Sequence, residues 1–208
     1  MRHSLLSLSL LSLVFIFAAC GGKQQSEGGS AAKGDTAAVA ADTVAAPAGY
    51  SLTADSFGPI RVGMRLDEIP QQTEGLYNTI LPAETPDAMA LTFVQGADPV
   101  CTVYDFGNGQ ADVIVLEGSK YGVATPDGEL RIGDDFSKVL ALPGVRSEWG
   151  GMDDYGTWYW VWQGVWFGVD EMEASESLLT ALETGRHAPR AAELAKARIG
   201  YIATGLPF

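Results

Sequence analysis

The sequence predicts an α+β fold, in which two tandem strand–helix–three-strand units form an antiparallel sheet with helices on one face. Three observations predict it. A short motif occurs twice, an amphipathic stretch follows each copy, and alternating strand patterns separated by turn residues follow each stretch. About 160 residues remain beyond an N-terminal leader and linker, which is enough for one medium domain or two small fused units.

The N-terminal residues 1–19 have the composition of an export signal. A basic start precedes an apolar run from Leu5 to Ala19, which is shorter than the ~20 residues that a membrane-spanning helix needs. The residues from Phe17 to Cys20 resemble the lipobox of bacterial lipoproteins. This resemblance implies that the signal is cut before Cys20 and that Cys20 carries acyl chains, which together anchor a protein stably.

Residues 20–48 are predicted to be a flexible tether. Gly, Ala, Ser, Thr and Gln dominate the segment and no aromatic residue occurs in it, so it cannot bury enough apolar surface to offset the entropy cost of ordering. No acidic residue directly follows Cys20, a feature that resembles lipoproteins passed on to the outer membrane of Gram-negative bacteria. The predicted location is therefore the cell envelope, with attachment to a membrane through N-terminal acyl chains.

The chain is strongly acidic, with 13 basic and 26 acidic residues and a formal net charge of −13. Such a charge repels nucleic-acid phosphates and anionic lipid surfaces, so nucleic-acid binding is excluded as a function. The acidity is typical of a well-solvated surface, and it also leaves room for a cationic partner.

Cys101 is the one cysteine that remains after acylation of Cys20, so no intramolecular disulfide is expected. Its neighbours from Val100 to Val103 have strand character, which predicts that Cys101 is a small core residue. A nucleophilic cysteine needs a base, and His187 is the only histidine beyond the leader. Because His187 lies in a loop-like segment, we do not expect a Cys–His pair.

A six-residue motif divides the folded part into two units. The segment Gly58–Gly63 recurs 70 residues later as Gly128–Gly133. Repetition of this kind indicates that each copy opens a similar structural unit. The predicted units are residues 49–126 and residues 127–208.

An amphipathic stretch follows each copy of the motif and predicts a short helix. Two large apolar residues stand three apart in each stretch, as one helical face requires. These pairs are Leu66 with Ile69 and Phe136 with Val139. Asp134 or Asp135 is expected to cap the second helix, because acidic residues are favoured at a helix start.

Strand patterns fill much of the remaining sequence. The predicted strands are Ala88–Val94, Val100–Phe106, Ala111–Glu117, Thr157–Trp162, Val165–Val169 and Lys196–Ala203. Turns are expected at Gly107–Gln110 and at Gln163-Gly164, the latter short enough for a two-residue hairpin. The segment Glu173–Thr184 is predicted to be helical, and residues 191–196 are expected to add a turn.

The first unit opens with a pattern found in a known protein group. The residues Ile60 to Met64, followed by Glu68 and Ile69, resemble the "I-x-x-G-M-x-x-x-E-V" opening of small envelope lipoproteins of the SmpA/OmlA group. The tandem arrangement resembles the beta-lactamase inhibitor protein fold. Together these resemblances imply protein binding without catalysis. The second unit departs from the pattern with an aspartate and a lysine in place of the methionine and the glutamate, and no functional residue of the family maps onto this chain.

The segment from Trp158 to Phe167 is rich in aromatic residues and forms the predicted hairpin. Because strand residues alternate between faces, one face carries only large apolar residues. These are Trp158, Trp160, Trp162, Val165, Phe167 and Val169. We expect that face to meet the helices. The other face would then expose Tyr159, Val161 and Trp166, either as a platform for a protein or a sugar, or as a surface partly covered by the rest of the chain.

Pairs of adjacent acidic residues are candidates for glycoside cleavage or calcium binding. They occur at Asp134-Asp135, Asp153-Asp154 and Asp170-Glu171. Solvated turns are the favoured interpretation, because adjacency in sequence does not create the facing geometry that glycoside cleavage needs. The segment Asp105–Leu116 lacks the ligand pattern of a calcium-binding EF-hand. No catalytic residue, metal site or cofactor is predicted.

The sequence therefore favours a noncatalytic, lipid-anchored envelope protein that binds another protein through Tyr159, Val161 and Trp166. The alternative is a glycan-binding or glycan-processing module of the envelope, in which the same aromatic side chains stack on sugar rings. A purely structural spacer is a third hypothesis.

Overall fold

The computed structural model describes residues 50–84, 88–152, 155–185 and 188–205. The predicted signal 1–19, the acylation site Cys20 and the tether 20–48 lie outside the described residues, as do His187 and the Asp153-Asp154 pair. Within the described ranges, no helix has the length and apolar character that crossing a bilayer requires.

The described residues form twelve strands and four short helices. The strands are β1 Ser56–Phe57, β2 Ile60–Arg61, β3 Thr79–Glu84, β4 Met89–Gln95, β5 Asp98–Asp105, β6 Val113–Leu116, β7 Gly122–Thr125, β8 Gly128–Arg131, β9 Arg146–Met152, β10 Tyr155–Trp162, β11 Val165–Val169 and β12 Ile199–Gly205. The helices are α1 Ile69–Gln72, α2 Ser137–Leu140, α3 Glu176–Thr184 and α4 Ala191–Leu194.

Eight strands pair antiparallel in one sheet, in the order β3-β4-β5-β6-β12-β11-β10-β9. Strands β1 with β2 and β7 with β8 form two small separate hairpins. Residues 49–126 contribute four neighbouring strands to the large sheet, residues 127–208 contribute the other four, and the pairing of β6 with β12 joins them. This mainly antiparallel architecture with few helices agrees with the predicted α+β class.

Each half carries four strands in the large sheet, so the prediction of three strands after each helix was wrong. The two strands of the large sheet that were not predicted, β3 and β9, form its edges. Strand β3 contains Pro82, and β9 contains Gly150 and Gly151, residue types that are depleted in strand interiors. An edge strand tolerates proline, because one side of its backbone makes no ladder hydrogen bonds.

The two predicted helices after the repeated motif are each a single turn, α1 and α2, and begin later than expected. In the first half, the N–H of Gly63 donates to the carbonyl of Ala111 at 2.8 Å, and the N–H of Ala111 donates to the carbonyl of Met64 at 2.8 Å. These long-range bonds tie Gly63 and Met64 to Ala111, just before β6. The residues directly after Gly63 therefore do not become part of helix α1.

The second half repeats this hydrogen-bond pattern. The N–H of Gly133 donates to the carbonyl of Ile199 at 2.8 Å, and the N–H of Ile199 donates to the carbonyl of Asp134 at 2.9 Å. The N–H of Phe136 then donates to the carbonyl of Ala197 at 3.0 Å. The residues after each copy of the motif are therefore tied to the start of a central strand, β6 or β12.

The expected helix cap at Asp134 or Asp135 is wrong. The Asp134 carboxylate accepts the backbone N–H of Arg131 at 3.0 Å and the Lys138 ammonium at 3.0 Å, while Asp135 pairs with Arg198 at 3.0 Å. Both side chains stabilise the turn before α2 instead of its first N–H groups. Helix α3, by contrast, has regular ends: it starts at a Ser175 cap and stops at a left-handed glycine, and it covers most of the predicted range Glu173–Thr184.

One hydrophobic core lies against the inner face of the large sheet. Phe93, Ile114 and Phe167 contribute to it from the sheet. The helices add fully or nearly fully buried side chains to the same core, namely Ile69, Val139, Leu178, Leu182 and Leu194. Cys101 belongs to this core and is fully buried, which confirms its prediction as a core residue.

Candidate functional site

The face of the large sheet opposite the core is the candidate site, and we call it the outer face. Directly opposite residues of paired strands share a face, so the register identifies its members. One row crosses all eight strands and consists of Leu81, Thr92, Thr102, Val115, Ala203, Trp166, Val161 and Arg146. The row holds a single charged residue, Arg146, which lies on the edge strand β9.

The aromatic hairpin forms with the predicted register. Trp162 pairs with Val165 and Trp160 pairs with Phe167 across the turn at Gln163-Gly164. Positive φ angles of 48° at Gln163 and 81° at Gly164 fit the twist that a two-residue hairpin needs. The all-apolar face of the hairpin is part of the core, as predicted.

Two contacts fix this inner face of the hairpin. The Trp160 ring meets the Phe136 ring edge to face with centroids 4.7 Å apart. The indole N–H of Trp162 donates to the carbonyl of Pro143 at 3.2 Å. These contacts fix the inner side of the hairpin against the core. The other side chains of the hairpin therefore lie on the outer face.

The structure places Tyr159, Val161 and Trp166 on the outer face, but the predicted exposure of these side chains is wrong. They are 4%, 6% and 4% exposed, and they form a second hydrophobic cluster, separate from the main core. The rings of Tyr159 and Trp166 stack with centroids 5.4 Å apart and planes 26° from parallel. We call these three residues the outer cluster.

Glycines on the neighbouring strands explain part of this burial. A Cβ built on Gly150 would lie 2.2 Å from Cε1 of Tyr159, and one built on Gly168 would lie 1.8 Å from Cε1 of Tyr201. Each tyrosine ring therefore lies over a glycine and packs flat on the sheet, instead of projecting from it. Aromatic side chains often cover strand glycines in this way, which shields the backbone there.

Besides Leu81 on the edge strand β3, the outer face has an accessible part on the central strands, which was not predicted. Tyr104 of β5, Val115 of β6 and Tyr201 of β12 are partly exposed. Phe106, next after β5, is 43% exposed, and its ring is nearly parallel to that of Tyr104, at 8° with centroids 6.4 Å apart. Alternation along β5 could have suggested Tyr104 and Phe106, but only the strand order places β5 next to β6 near the middle of the sheet.

A hydrogen-bonded chain of side chains fixes the acidic residue Glu117 on the outer face. The Thr102 hydroxyl donates to Oε1 of Glu117 at 2.8 Å and lies 2.9 Å from the Thr92 hydroxyl. Glu117 is partly exposed and follows Val115 by two residues, so both lie on the same face. The carboxylate is therefore held in place rather than free to move with solvent.

Burial and nearby carboxylates change the pKa of two tyrosines on the outer face. Burial, together with the negative charge of Glu117, raises the pKa of Tyr104, and burial with the charge of Glu148 raises the pKa of Tyr159. At the edge of the face, Glu148 forms an ion pair with Arg146 of the same strand. Both phenols remain protonated at neutral pH, and that of the partly exposed Tyr104 can donate a hydrogen bond to a bound molecule.

The arrangement offers binding groups, and the described residues bring no catalytic set together here. Burial raises the pKa of the Cys101 thiol, which keeps the thiol protonated in the core. Within the described ranges, no group of three or more His, Cys, Asp or Glu residues has the geometry to hold a metal ion. Asp170 accepts the backbone N–H of Met172 at 3.0 Å, a local turn contact.

No protein-family model matches the chain, and no curated protein matches it significantly. Among solved structures, the fold is similar to that of the uncharacterized protein yfeY from Escherichia coli, with a TM-score of 0.50 and 14% sequence identity. The alignment covers 75% of this chain and 99% of that chain. At this identity the likeness concerns the fold alone.

Proposed function

We propose that this chain is a noncatalytic cell-envelope lipoprotein that binds another envelope protein through the outer face of its sheet. The anchor is a set of acyl chains on Cys20, and the membrane is the outer membrane of a Gram-negative bacterium. The flexible tether 20–48 lets the folded part move at a distance from that membrane. This assignment rests on the signal and lipobox pattern of the N-terminus.

One observation carries the binding role: a row of uncharged, mainly apolar and aromatic residues across the outer face, on a protein with a net charge of −13. The row from Leu81 to Val161 crosses seven strands without a charged residue. Interface centres are depleted of charge and enriched in Tyr, Trp and Phe, which matches this composition. The outer cluster supplies a rigid base, and Tyr104, Val115 and Tyr201 supply accessible contacts beside it.

We further propose that residues 49–126 and 127–208 are tandem units with all helices on the inner side of the sheet. The repeated hydrogen bonds from Gly63 to Ala111 and from Gly133 to Ile199 support the tandem arrangement. The shared core of helix and inner-face side chains supports the placement of the helices. In this arrangement none of the helices among the described residues lies over the outer face, and its partly exposed residues Tyr104, Val115 and Tyr201 would meet a partner.

Site-specific photo-crosslinking in cells tests the binding role. A photoreactive amino acid replaces Tyr201 or Val115 on the outer face, and as a control it replaces exposed Glu74, which follows α1. We expect a discrete crosslinked product from the outer-face positions, absent from the Glu74 control, whose partner mass spectrometry identifies as an envelope protein. Equal products from all three positions, or none from the outer face, would contradict the proposal.

A glycan-binding role is the second candidate, favoured by the near-parallel rings of Tyr104 and Phe106. Exposed aromatic rings can stack on the apolar faces of sugars, so a glycan array with the wild-type chain and a Tyr104→Ala variant discriminates between the roles. Binding of a defined glycan that is lost in the variant would favour this candidate over the protein-binding role.

A further inference from the structure

Asn108 and Gly109 form a pair of residues that is chemically labile in an unfolded chain. When glycine follows asparagine, the glycine nitrogen can attack the carbon of the asparagine side-chain amide, because glycine has no side chain to hinder the approach. A C–N bond forms, ammonia leaves, and water then opens the resulting cyclic imide to aspartate or isoaspartate. The chain has two asparagines, and the other, Asn78, precedes threonine.

The loop between β5 and β6 holds both reacting groups in place. The side-chain nitrogen of Asn108 donates to Oδ1 of Asp112 at 2.6 Å, and its side-chain oxygen accepts the backbone N–H of Gln110 at 2.8 Å. The amide carbon can therefore turn towards Gly109 only if these bonds break. The attacking nitrogen is held as well, because the N–H of Gly109 donates to Oδ1 of Asp105 at 3.0 Å.

The carboxylate of Asp105 adds to this protection. Its Oδ1 also accepts the N–H groups of Gly107 and Asn108, both at 2.8 Å, and the residue is only 5% exposed. Three backbone N–H groups thus converge on one carboxylate oxygen. Its negative charge opposes loss of the Gly109 proton, which the nitrogen must lose in order to attack. The folded loop therefore hinders the reaction by both position and charge.

A carboxylate at position 108 would not fit the same loop. Asp112 is 5% exposed and accepts the Asn108 amide at 2.6 Å and the N–H of Phe106 at 2.8 Å. A deprotonated carboxylate has no hydrogen to donate and repels that of Asp112. The loop also accepts the N–H of Leu66 at the carbonyl of Gly109, at 3.0 Å. Loosening of the loop would therefore loosen the segment after the first copy of the motif.

We propose that Asn108 is a deamidation site, which the native loop protects and which reacts when the loop opens. The reaction consumes one water and releases one ammonia for each amide converted. Because the product carboxylate repels Asp112, a chain that has reacted closes the loop less tightly than before. The modification thereby marks irreversibly each chain whose loop has opened. It requires no partner and is independent of the proposed binding role.

The first test compares deamidation of the full chain in native buffer and in denaturing urea at the same mildly alkaline pH. Mass spectrometry of peptides that contain residue 108 measures the fraction of amide converted. We expect the reaction to be about tenfold or more slower in the native chain, because only the open loop reacts. Equal rates, or a faster rate in the native chain, would overturn the inference by showing that the loop does not protect Asn108.

A pair of variants tests the role of Asp105. Asp105→Ala removes the acceptor of the Gly109 N–H and is expected to raise the native deamidation rate about fivefold or more. Asp98→Ala removes the same charge from an exposed residue at the other end of β5 and is expected to leave the rate within about twofold of the wild type. Equal rates in two folded variants would overturn the inference. If Asp105→Ala does not fold, the comparison of the wild type in buffer and in urea decides alone.

Asn108→Asp reproduces the aspartate product directly. We expect it to lower the melting temperature by about 3–6 °C and to speed hydrogen exchange in residues 105–112, because its carboxylate faces that of Asp112. Asn78→Asp is the matched control, since Oδ1 of Asn78 accepts the N–H of Gly96 at 2.6 Å and an aspartate keeps that acceptor. If Asn108→Asp is as stable as Asn78→Asp, the product fits the loop and the proposed mark of opening is refuted.

Discussion

The ring of Tyr201 occupies the space that any side chain at position 168 would need. A Cβ built on Gly168 would lie 1.8 Å from Cε1 and 2.3 Å from Cδ1 of this ring. The two residues are direct partners across β11 and β12, so the ring crosses from its own strand to cover the neighbouring backbone. Because Gly168 has no side chain, the ring of Tyr201 can lie flat on the outer face beside Trp166.

This relationship predicts a strong coupling between positions 168 and 201. Gly168→Ala is expected to lower the free energy of unfolding by about 1–3 kcal/mol, because the ring must leave its place. In a Tyr201→Ala background the same change is expected to cost much less. Urea unfolding of the four variants in a double-mutant cycle measures the coupling. A cost at position 168 that does not depend on residue 201 would contradict the packing described here.

Alkaline pH is expected to destabilise the chain through Tyr201. Burial, with smaller contributions from Tyr159 and Glu171, raises the pKa of Tyr201 to about 12. The folded state favours the neutral phenol, so this stabilisation is complete below the ordinary pKa of about 10 and is lost as the pH rises through 12. Tyr201→Phe keeps the ring without the titrating group.

Urea unfolding between about pH 9 and pH 12 therefore distinguishes the wild type from Tyr201→Phe. We expect the unfolding free energy of the wild type to fall more steeply than that of Tyr201→Phe over this range. Parallel curves would show that the phenol of Tyr201 is accessible in the folded state.

The two sides of the sheet are expected to differ in their contribution to stability. Phe167 is fully buried opposite Trp160, so Phe167→Ala should cost about 3–5 kcal/mol and could prevent folding at 37 °C. Tyr104→Ala, on the accessible outer face, should cost about 1 kcal/mol or less. Urea unfolding monitored by tryptophan fluorescence compares them, and similar costs would place Tyr104 in the core.

The hairpin turn offers a stabilising substitution. Gln163 has a positive φ of 48°, a conformation that asparagine adopts more readily than glutamine, and Asn-Gly is the preferred pair for this turn. Gln163→Asn is expected to stabilise the chain by about 0.5 kcal/mol and to raise its melting temperature. Gln110→Asn, at an exposed residue without positive φ, is the control. No difference between the two variants would contradict the turn assignment.

Acylation is testable at Cys20. Cys20→Ser removes the thiol that accepts the lipid, so we expect the variant to leave the membrane fraction and lose the mass of the acyl chains. Cell fractionation and intact-mass spectrometry measure both changes. A wild-type polypeptide that starts before Cys20 or carries no lipid would refute the anchor.

Sequence patterns predicted the elements whose signals are local. Strand β11 has the predicted bounds, and α3 ends at Thr184 as expected, because Ser175 and Gly185 mark its limits. Strand β3 was not predicted, since Pro82 argues against a strand unless the strand is known to lie at an edge. Edge position is a property of the whole sheet, which no local pattern contains.

The candidate site was predicted only in part for the same reason. Alternation placed Tyr159, Val161 and Trp166 on the correct face, but their burial depends on neighbours that are distant in sequence. Gly150 accommodates the ring of Tyr159, and Gly168 accommodates the ring of Tyr201. Tyr104 and Glu117 belong to the site because β5 and β6 lie at the middle of the sheet, which the strand order alone reveals.

Among the described strands, β12 is the last in chain order, yet it lies in the middle of the sheet between β6 and β11. During synthesis from the N-terminus, the polypeptide would therefore expose unpaired backbone groups on both of those strands until residues 199–205 arrive. Such exposed edges invite aggregation. Loss of these seven residues would then separate the molecule into two incomplete sheets.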